Sequence, residues 1–322
     1  MLYPLIFKPI LKERIWGGRN LATLYGKSLP PGKPIGESWE ISDRPGDESV
    51  IANGPLQGRT LGDVMRDNHA AMLGADRPAA IRFPLLVKII DAQQTLSLQV
   101  HPPAQKAAEL GGEPKTEMWY IAQAGPKAEL YVGLQRGVDR AEFERKLASQ
   151  TVADCFHRIP VCAGDAMFLP SGRVHALGAD IVIFEIQQNS DTTYRVFDWN
   201  RVDAAGRPRD LHVAQSLASI DFQDFEPGLL PANSEPGHPG RVRPLVQDKL
   251  FTVSLRELGG AETLPLPAGR MEIIGVVSGA VRVAAPGGAV ELAAGQFCLV
   301  PADSGAASVR ADGAAKFLEV TC

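Results

Sequence analysis

Gly164-Asp-Ala-Met-Phe-Leu-Pro170-Ser-Gly172-Arg-Val-His175 is the stretch that decides the fold. Gly164 opens it as a turn, Ala166–Leu169 has the apolar content of a short buried strand, and Pro170 with Gly172 closes that strand in a second turn. His175 follows at once and ends the unit with an imidazole. The unit returns in part further along. Leu292-Ala-Ala-Gly295-Gln-Phe-Cys-Leu-Val-Pro301 repeats the succession of small residue, glycine, polar residue, apolar run and proline seen from Val161 to Pro170. Ala306 stands there at the spacing where His175 stands in the first copy. The chain therefore reads as a duplication in which only the first copy carries the histidine.

Working outward, apolar runs of strand length recur at 83–90, 95–100, 118–121, 129–132, 166–169 and 181–186, and again at 251–256, 272–277, 280–283, 296–300 and 316–320. The 32 glycines and 25 prolines fall largely between such runs, so the chain is expected to be mainly β. A few helices are appended. Thr60-Leu-Gly-Asp63 opens one carrying Val64, Met65 and Met72, and 103–110 is a second. Asp139-Arg-Ala-Glu142 opens a third with capping-box spacing, followed by Phe143 and Leu147 four apart. Pro227, Pro231, Pro236, Pro239 and Pro244 crowd one region with Gly228, Gly237 and Gly240, which reads as a linker. The expected organisation is a larger domain at 1–225, a linker at 226–242 and a smaller all-β domain at 243–322.

The 322 residues suit two domains, at about 150 residues each. Apolar residues at 45% and charged residues at 22% exclude a disordered chain. A net charge of −4 provides no basic field for nucleic acid or acidic lipid. No apolar run reaches the roughly 18 residues of a membrane span, and Lys8, Pro4, Pro9 and Lys12 interrupt any signal-peptide core at the start. Cys155, Cys162, Cys298 and Cys322 form no CxxC pair, which points to free thiols in a reducing, cytoplasmic setting. A monomer or weak homo-oligomer acting on a small molecule is the expectation.

Metal-ligand residue types gather in three places. In Leu98-Gln99-Val100-His101, residues two apart on a strand share a face, so Gln99 and His101 converge. Glu117 lies in Lys115-Thr-Glu-Met-Trp119, just before an apolar run, and His175 follows the Pro170–Gly172 turn. Two imidazoles and a carboxylate, with the Gln99 amide oxygen as a fourth ligand, suit a catalytic Zn2+ site with an open position. The same set suits non-haem iron. His69, His157, His212 and His238 are read as surface or satisfied core residues, and Trp16 and Trp119 as packing residues. Arg195, taken by itself, is a loop residue pairing with Asp191 or Asp198. Lys88 sits in an apolar run and either faces a pocket or snorkels outward. Glu185, also in an apolar strand, is either a site carboxylate or a rim residue. Arg201 near Arg195 has no assigned role.

The Gly-x5-Pro-x-Gly-x2-His string resembles the second signature of the cupin superfamily, although Ala179 stands where that signature usually has asparagine. The first signature is altered: Gln99-x-His101 replaces a histidine pair, and an insertion around 103–112 delays Glu117. That alteration resembles the type I mannose-6-phosphate isomerase family. Phe7-Lys-Pro-Ile-Leu-Lys-Glu-Arg-Ile-Trp-Gly-Gly18 and Ile35-Gly-Glu-Ser-Trp-Glu-Ile-Ser42 support the resemblance. So do Phe83-Pro-Leu-Leu-Val-Lys-Ile-Ile-Asp91, Leu96-Ser-Leu-Gln-Val-His-Pro102 and Glu185-Ile-Gln-Gln-Asn-Ser-Asp-Thr-Thr-Tyr-Arg195. It is strong from Leu5 to about Asn200 and weak beyond the linker.

The resemblance implies two cupin-type β-barrels (jelly rolls) and a site residue by residue. Gln99, His101, Glu117 and His175 match the zinc ligands, one Zn2+ per chain and none in the second barrel. Arg195 matches a catalytic arginine; the base stays open among a metal-bound water, Glu185 and another carboxylate. Ser97 and Lys115 match substrate-phosphate contacts. The implied reaction interconverts D-mannose 6-phosphate and D-fructose 6-phosphate through an enediol. Two other classes share parts of this pattern. A non-haem iron cupin dioxygenase accounts for the two histidines and the glutamate, but not for Ser97, Gln99 and Lys115 together. A non-catalytic sugar-phosphate-binding cupin accounts for the linker and the second half without its histidine.

Overall fold

The computed structural model describes residues 2–75, 82–202, 206–237 and 239–322; His238 lies outside them. The chain is mainly β, with few helices, and it divides into two compact units. A mid-chain unit consists of Glu13–Gly18 and Ile90–Leu230, and a terminal unit of Met1–Lys12, Arg19–Ile89 and Pro231–Cys322. Among the described residues, no helix is long and apolar enough to cross a membrane.

In the mid-chain unit, strands Ile181–Gln188, Glu117–Ala124 and Ala166–Leu169 lie side by side and antiparallel. A second sheet runs Tyr194–Phe197, Leu98–Val100, His175–Leu177, Glu129–Leu134, Phe156–Pro160. Alternate residues of both sheets meet in one core: Trp119, Ile121, Met167, Leu169, Ile181 and Ile183 from the first, and Leu130, Val132 and Leu177 from the second. The five-stranded sheet is covered on its other face as well. Leu98, Val100, Ala176 and Val196 pack there with Phe143 of helix Arg140–Ala148 and with Ile220, just after helix Val213–Ser219. Burial on both faces explains why these strands read as continuous apolar runs rather than alternating ones. It also fixes their orientation. With Leu98 and Val100 turned to the helices, Gln99 is turned to the interior of the sandwich.

The expected helices form where their caps stand. Thr60 and Asp63 close a reciprocal capping box on Leu61–Leu73, and Asp139 accepts from the Glu142 N–H at the start of Arg140–Ala148. The 103–110 expectation shrinks to one turn, Ala104–Ala107.

The terminal unit holds a second sandwich. Thr252–Leu258, Ala315–Thr321, Glu272–Ser278 and Phe297–Val300 are neighbours in one sheet. Thr263–Leu266, Ala307–Arg310, Ala280–Ala285 and Gly288–Ala293 form the other. Ile274, Val276, Phe317, Cys298, Val283 and Val309 fill the space between. The Pro/Gly-rich stretch is partly strand itself, with Glu235–Pro236 paired to the start of Arg241–Gln247.

The two sandwiches agree in register as well as in strand order. Leu169 stands opposite Glu117 in the first, and Val300 opposite Glu272 in the second. Glu185 stands opposite Trp119, and Glu319 opposite Ile274, each two residues beyond the first glutamate. The duplication seen in the glycine and proline frame therefore extends to two buried carboxylates. The second copy carries Glu272 and Glu319 at the places of Glu117 and Glu185.

Candidate metal centre

Three neighbouring strands of the five-stranded sheet bring His175, Gln99 and Arg195 abreast. Gln99 is the register partner of both His175 and Arg195. Glu117 opens its strand in the facing sheet, one residue after Thr116 and directly opposite Leu169. His101, Glu117 and His175 are all buried, and their ligand atoms lie within 4.8 Å of one another. His175 Nε2 is 3.3 Å from Glu117 Oε1, and His101 Nε2 is 3.5 Å from Glu117 Oε2. Two ligands on a tetrahedral ion at about 2.1 Å stand about 3.4 Å apart, so these spacings fit a first-row divalent metal. The Gln99 amide nitrogen lies 3.2 Å from His175 Nε2, so a half-turn of the amide brings its oxygen to the same point.

Donor chemistry supports the fit. His101 Nε2 and both Glu117 oxygens are buried without a hydrogen-bond partner of normal geometry, an expensive arrangement for a protein interior unless a cation collects them. The far side of each imidazole is tied to main chain: His101 Nδ1 lies 2.8 Å from the Thr192 carbonyl oxygen and His175 Nδ1 3.0 Å from that of Arg173. A carbonyl accepts only, so each Nδ1 carries the proton and each Nε2 presents its lone pair inward. Burial, then Lys115, pushes His101 down to about 3, which keeps it in the neutral, ligating form. Burial works to raise the Glu117 carboxyl, but the neighbouring ammonium of Lys115 opposes it, and the carboxyl lies well below the usual carboxylate range.

The other expected residues surround this cluster to differing degrees. Lys115, expected at the phosphate, is buried with Nζ 3.0 Å from Glu117 Oε2. Ser97 is buried two residues before Gln99. Glu185 is buried, and its Oε1 accepts the Trp119 indole N–H at 2.9 Å. Trp119 itself packs in the core of the sandwich, as expected, and meets the His175 ring edge-on at 5.4 Å between centroids. Arg195 donates to the Asp210 carbonyl oxygen rather than to Asp191 or Asp198. Its backbone N–H donates to His212 Nδ1. Burial, then Arg209, draws its guanidinium below the ordinary value.

Several participants carried no sequence signal. Asp198 accepts from Arg201 and from both arms of Arg209, which gathers two arginines around one carboxylate. Arg201 also donates to the Thr95 carbonyl oxygen, and the Trp199 indole to that of Leu96, tying this loop to the approach of the Ser97–His101 segment. Lys88 belongs to the terminal unit, buried with its ammonium 5.2 Å from the Trp39 ring centre.

Comparison with known proteins agrees with this geometry. Residues 5–134 match the family model described as phosphomannose isomerase type I, catalytic domain. The chain is 35% identical over 321 residues to a probable mannose-6-phosphate isomerase of Bacillus subtilis, covering 99% of each chain. It is 35% identical over 288 residues to the mannose-6-phosphate isomerase of Streptococcus mutans, covering 88% of this chain and 87% of that one. In three dimensions it is similar to the crystal structure of the mannose 6-phosphate isomerase from Bacillus subtilis, with TM-score 0.88, 30% identity and 99% of each chain covered.

Proposed function

This chain belongs to the type I phosphomannose isomerase family and is an isomerase, and from that premise we propose that it interconverts D-mannose 6-phosphate and D-fructose 6-phosphate with one Zn2+ held by Gln99, His101, Glu117 and His175. The observation that carries this reading is the buried His101–Glu117–His175 cluster, with both Nδ1 atoms tied off by carbonyl oxygens and both Nε2 atoms turned to one carboxylate. A divalent ion there supplies a Lewis acid for the C1 and C2 oxygens of the sugar.

The chain's own residues do the rest. Isomerisation removes the proton on C2 of the open-chain aldose, passes through a cis-enediol and returns a proton to C1, so no oxidant or reductant is needed. Glu185 is the base we assign. The Trp119 N–H on its Oε1 fixes the plane of the carboxylate. Arg195, in register with Gln99, meets the negative charge that grows on the enediolate oxygen. Lys115 supplies a point charge and Ser97 a hydroxyl donor for the phosphate. The sandwich within residues 1–225 is read as a metal-bearing cupin barrel, and that within 243–322 as a degenerate one, in a cytoplasmic enzyme.

The test is an isomerase assay with mannose 6-phosphate on protein stripped by a chelator and then reloaded, with metal quantified on the same samples. Turnover that disappears with the metal and returns with about one Zn2+ per chain is expected. Oxygen uptake with iron in place of isomerisation refutes the proposal, as does sugar-phosphate binding without turnover.

A further inference from the structure

The His175 imidazole is oriented by a carbonyl, and that carbonyl is itself held from a distance. Arg173, which provides it, lies in the turn that follows Pro170. Gly172 adopts a φ of +95° there, a conformation few other residues tolerate. The turn is bonded on both sides: the Gly172 N–H donates to the His101 carbonyl oxygen at 2.9 Å, and its own carbonyl accepts from Asp221 N–H at 2.9 Å. The Arg173 side chain makes the strongest link. Its Nε and Nη2 donate to the two oxygens of Asp224, each at 2.8 Å, while Nη1 donates to the Phe168 carbonyl oxygen at 2.7 Å. A two-pronged guanidinium–carboxylate pair fixes direction as well as distance. Both side chains are largely buried, at 16% and 15% exposure, so solvent screens the pair only in part. Asp224 is anchored in turn, since its carbonyl accepts from Leu134 N–H at 2.9 Å. An unbroken line of bonds thus runs from Asp224 through the Arg173 guanidinium and backbone to His175 Nδ1.

We propose that Asp224 is a positioning residue for the metal: by clamping Arg173 it holds the carbonyl that aims the His175 imidazole, and it sets metal affinity without touching metal or substrate. The proposal rests on the metal reading given above. Partners of a ligating histidine's second nitrogen typically change metal affinity by about 10–100-fold when lost, because a swinging ring costs order on binding. Asp224 acts one step further out, so a loss of about tenfold is expected.

The experiment titrates Zn2+ into metal-free parent and Asp224→Asn proteins against a competing chromophoric chelator. The visible spectrum of the Co2+-loaded forms is recorded in parallel, and the melting of the metal-free forms is measured. Weaker metal binding by about tenfold, with a changed Co2+ spectrum and a metal-free melting transition close to the parent's, supports the relay. Equal affinity and an unchanged spectrum overturn it, and so does a loss of affinity matched by general loss of the metal-free fold. Should Asp224→Asn not fold, Arg173→Lys keeps a cation but loses the fork, and parent-like affinity in that variant overturns the relay equally. A parent that takes up no metal overturns the metal reading and the relay together, which is distinct from a parent that binds metal and a variant that binds it as well.

Discussion

Replacing Glu272 by glutamine should remove a pH dependence of stability that the parent carries. Glu272 is fully buried at the start of its strand, in diagonal register with Glu319 on the neighbouring strand. Arg270 donates to Glu272 Oε1 at 2.8 Å, and Arg256 to Glu319 at 2.6 Å. Glu272 Oε2 is buried without a hydrogen-bond partner. Burial, then the charge of Glu319, pushes this carboxyl from 4.5 up to about 7, with Arg270 and Arg256 opposing. A displacement of that size is worth about 3 kcal/mol between the protonation states. Arg270 is half exposed, so its share of the opposition is screened and small. The folded chain holds this proton where the unfolded chain has already released it. The native state therefore binds more protons between pH 4.5 and about 7, and stability falls as pH rises through that window. Below 4.5 the effect vanishes; above about 8 it is complete. Urea unfolding of parent and Glu272→Gln at a series of pH values, compared as a difference so that other titrating groups cancel, reads the effect directly. The variant should gain about 3 kcal/mol relative to the parent between acid and pH 8, in the transition of the terminal unit. A difference that does not change with pH would refute the burial argument, and with it the view that Glu272 enters the native state carrying a proton.

Other expectations concern the mid-chain site. His175→Ala should lose nearly all bound metal while keeping its fold, because the apolar core of Leu130, Val132 and Ile183 does not depend on the imidazole; full metal content in this variant would remove His175 from the ligand set. Arg195→Ala should keep its metal and its KM but lose about 10²–10³ in kcat, as for a donor used mainly in the transition state, and near-normal turnover would return it to a structural tie to Asp210. Ser97→Ala should raise KM for mannose 6-phosphate by about tenfold, with metal content unchanged; parent-like kinetics would place the phosphate elsewhere.

Much of this architecture was legible in the sequence, for identifiable reasons. Glycine and proline act locally, so the turn at 170–172 and the repeat at 295–301 could be read without tertiary knowledge. The alternation of Gln99 with His101 is likewise a property of one strand. What escaped depends on residues brought together from far apart. The pairing of Arg173 with Asp224 and the gathering of Arg201 and Arg209 on Asp198 have no fixed spacing to betray them. Strand Thr263–Leu266 was hidden by Pro265, and Tyr194–Phe197 by its shortness. Glu272 and Glu319 were visible as letters but not as counterparts, because the repeat was followed only through its glycine and proline. A usable signal was present in Lys115-x-Glu117 and Arg270-x-Glu272, a cation two residues before a carboxylate at a strand start.

That second pair bears on what each single substitution costs. Imidazoles can be lost one at a time at little cost, since alanine at position 306 leaves no charge behind. A buried glutamate beside a half-exposed arginine is different, and asymmetric: losing Glu272 leaves Arg270 in water at little cost, whereas losing Arg270 leaves a carboxyl buried without its partner. A single substitution is thus easily borne at Glu272 and costly at Arg270. The terminal sandwich thus keeps two buried acids beside their arginines at the places of Glu117 and Glu185, with alanine where the first sandwich has its imidazole.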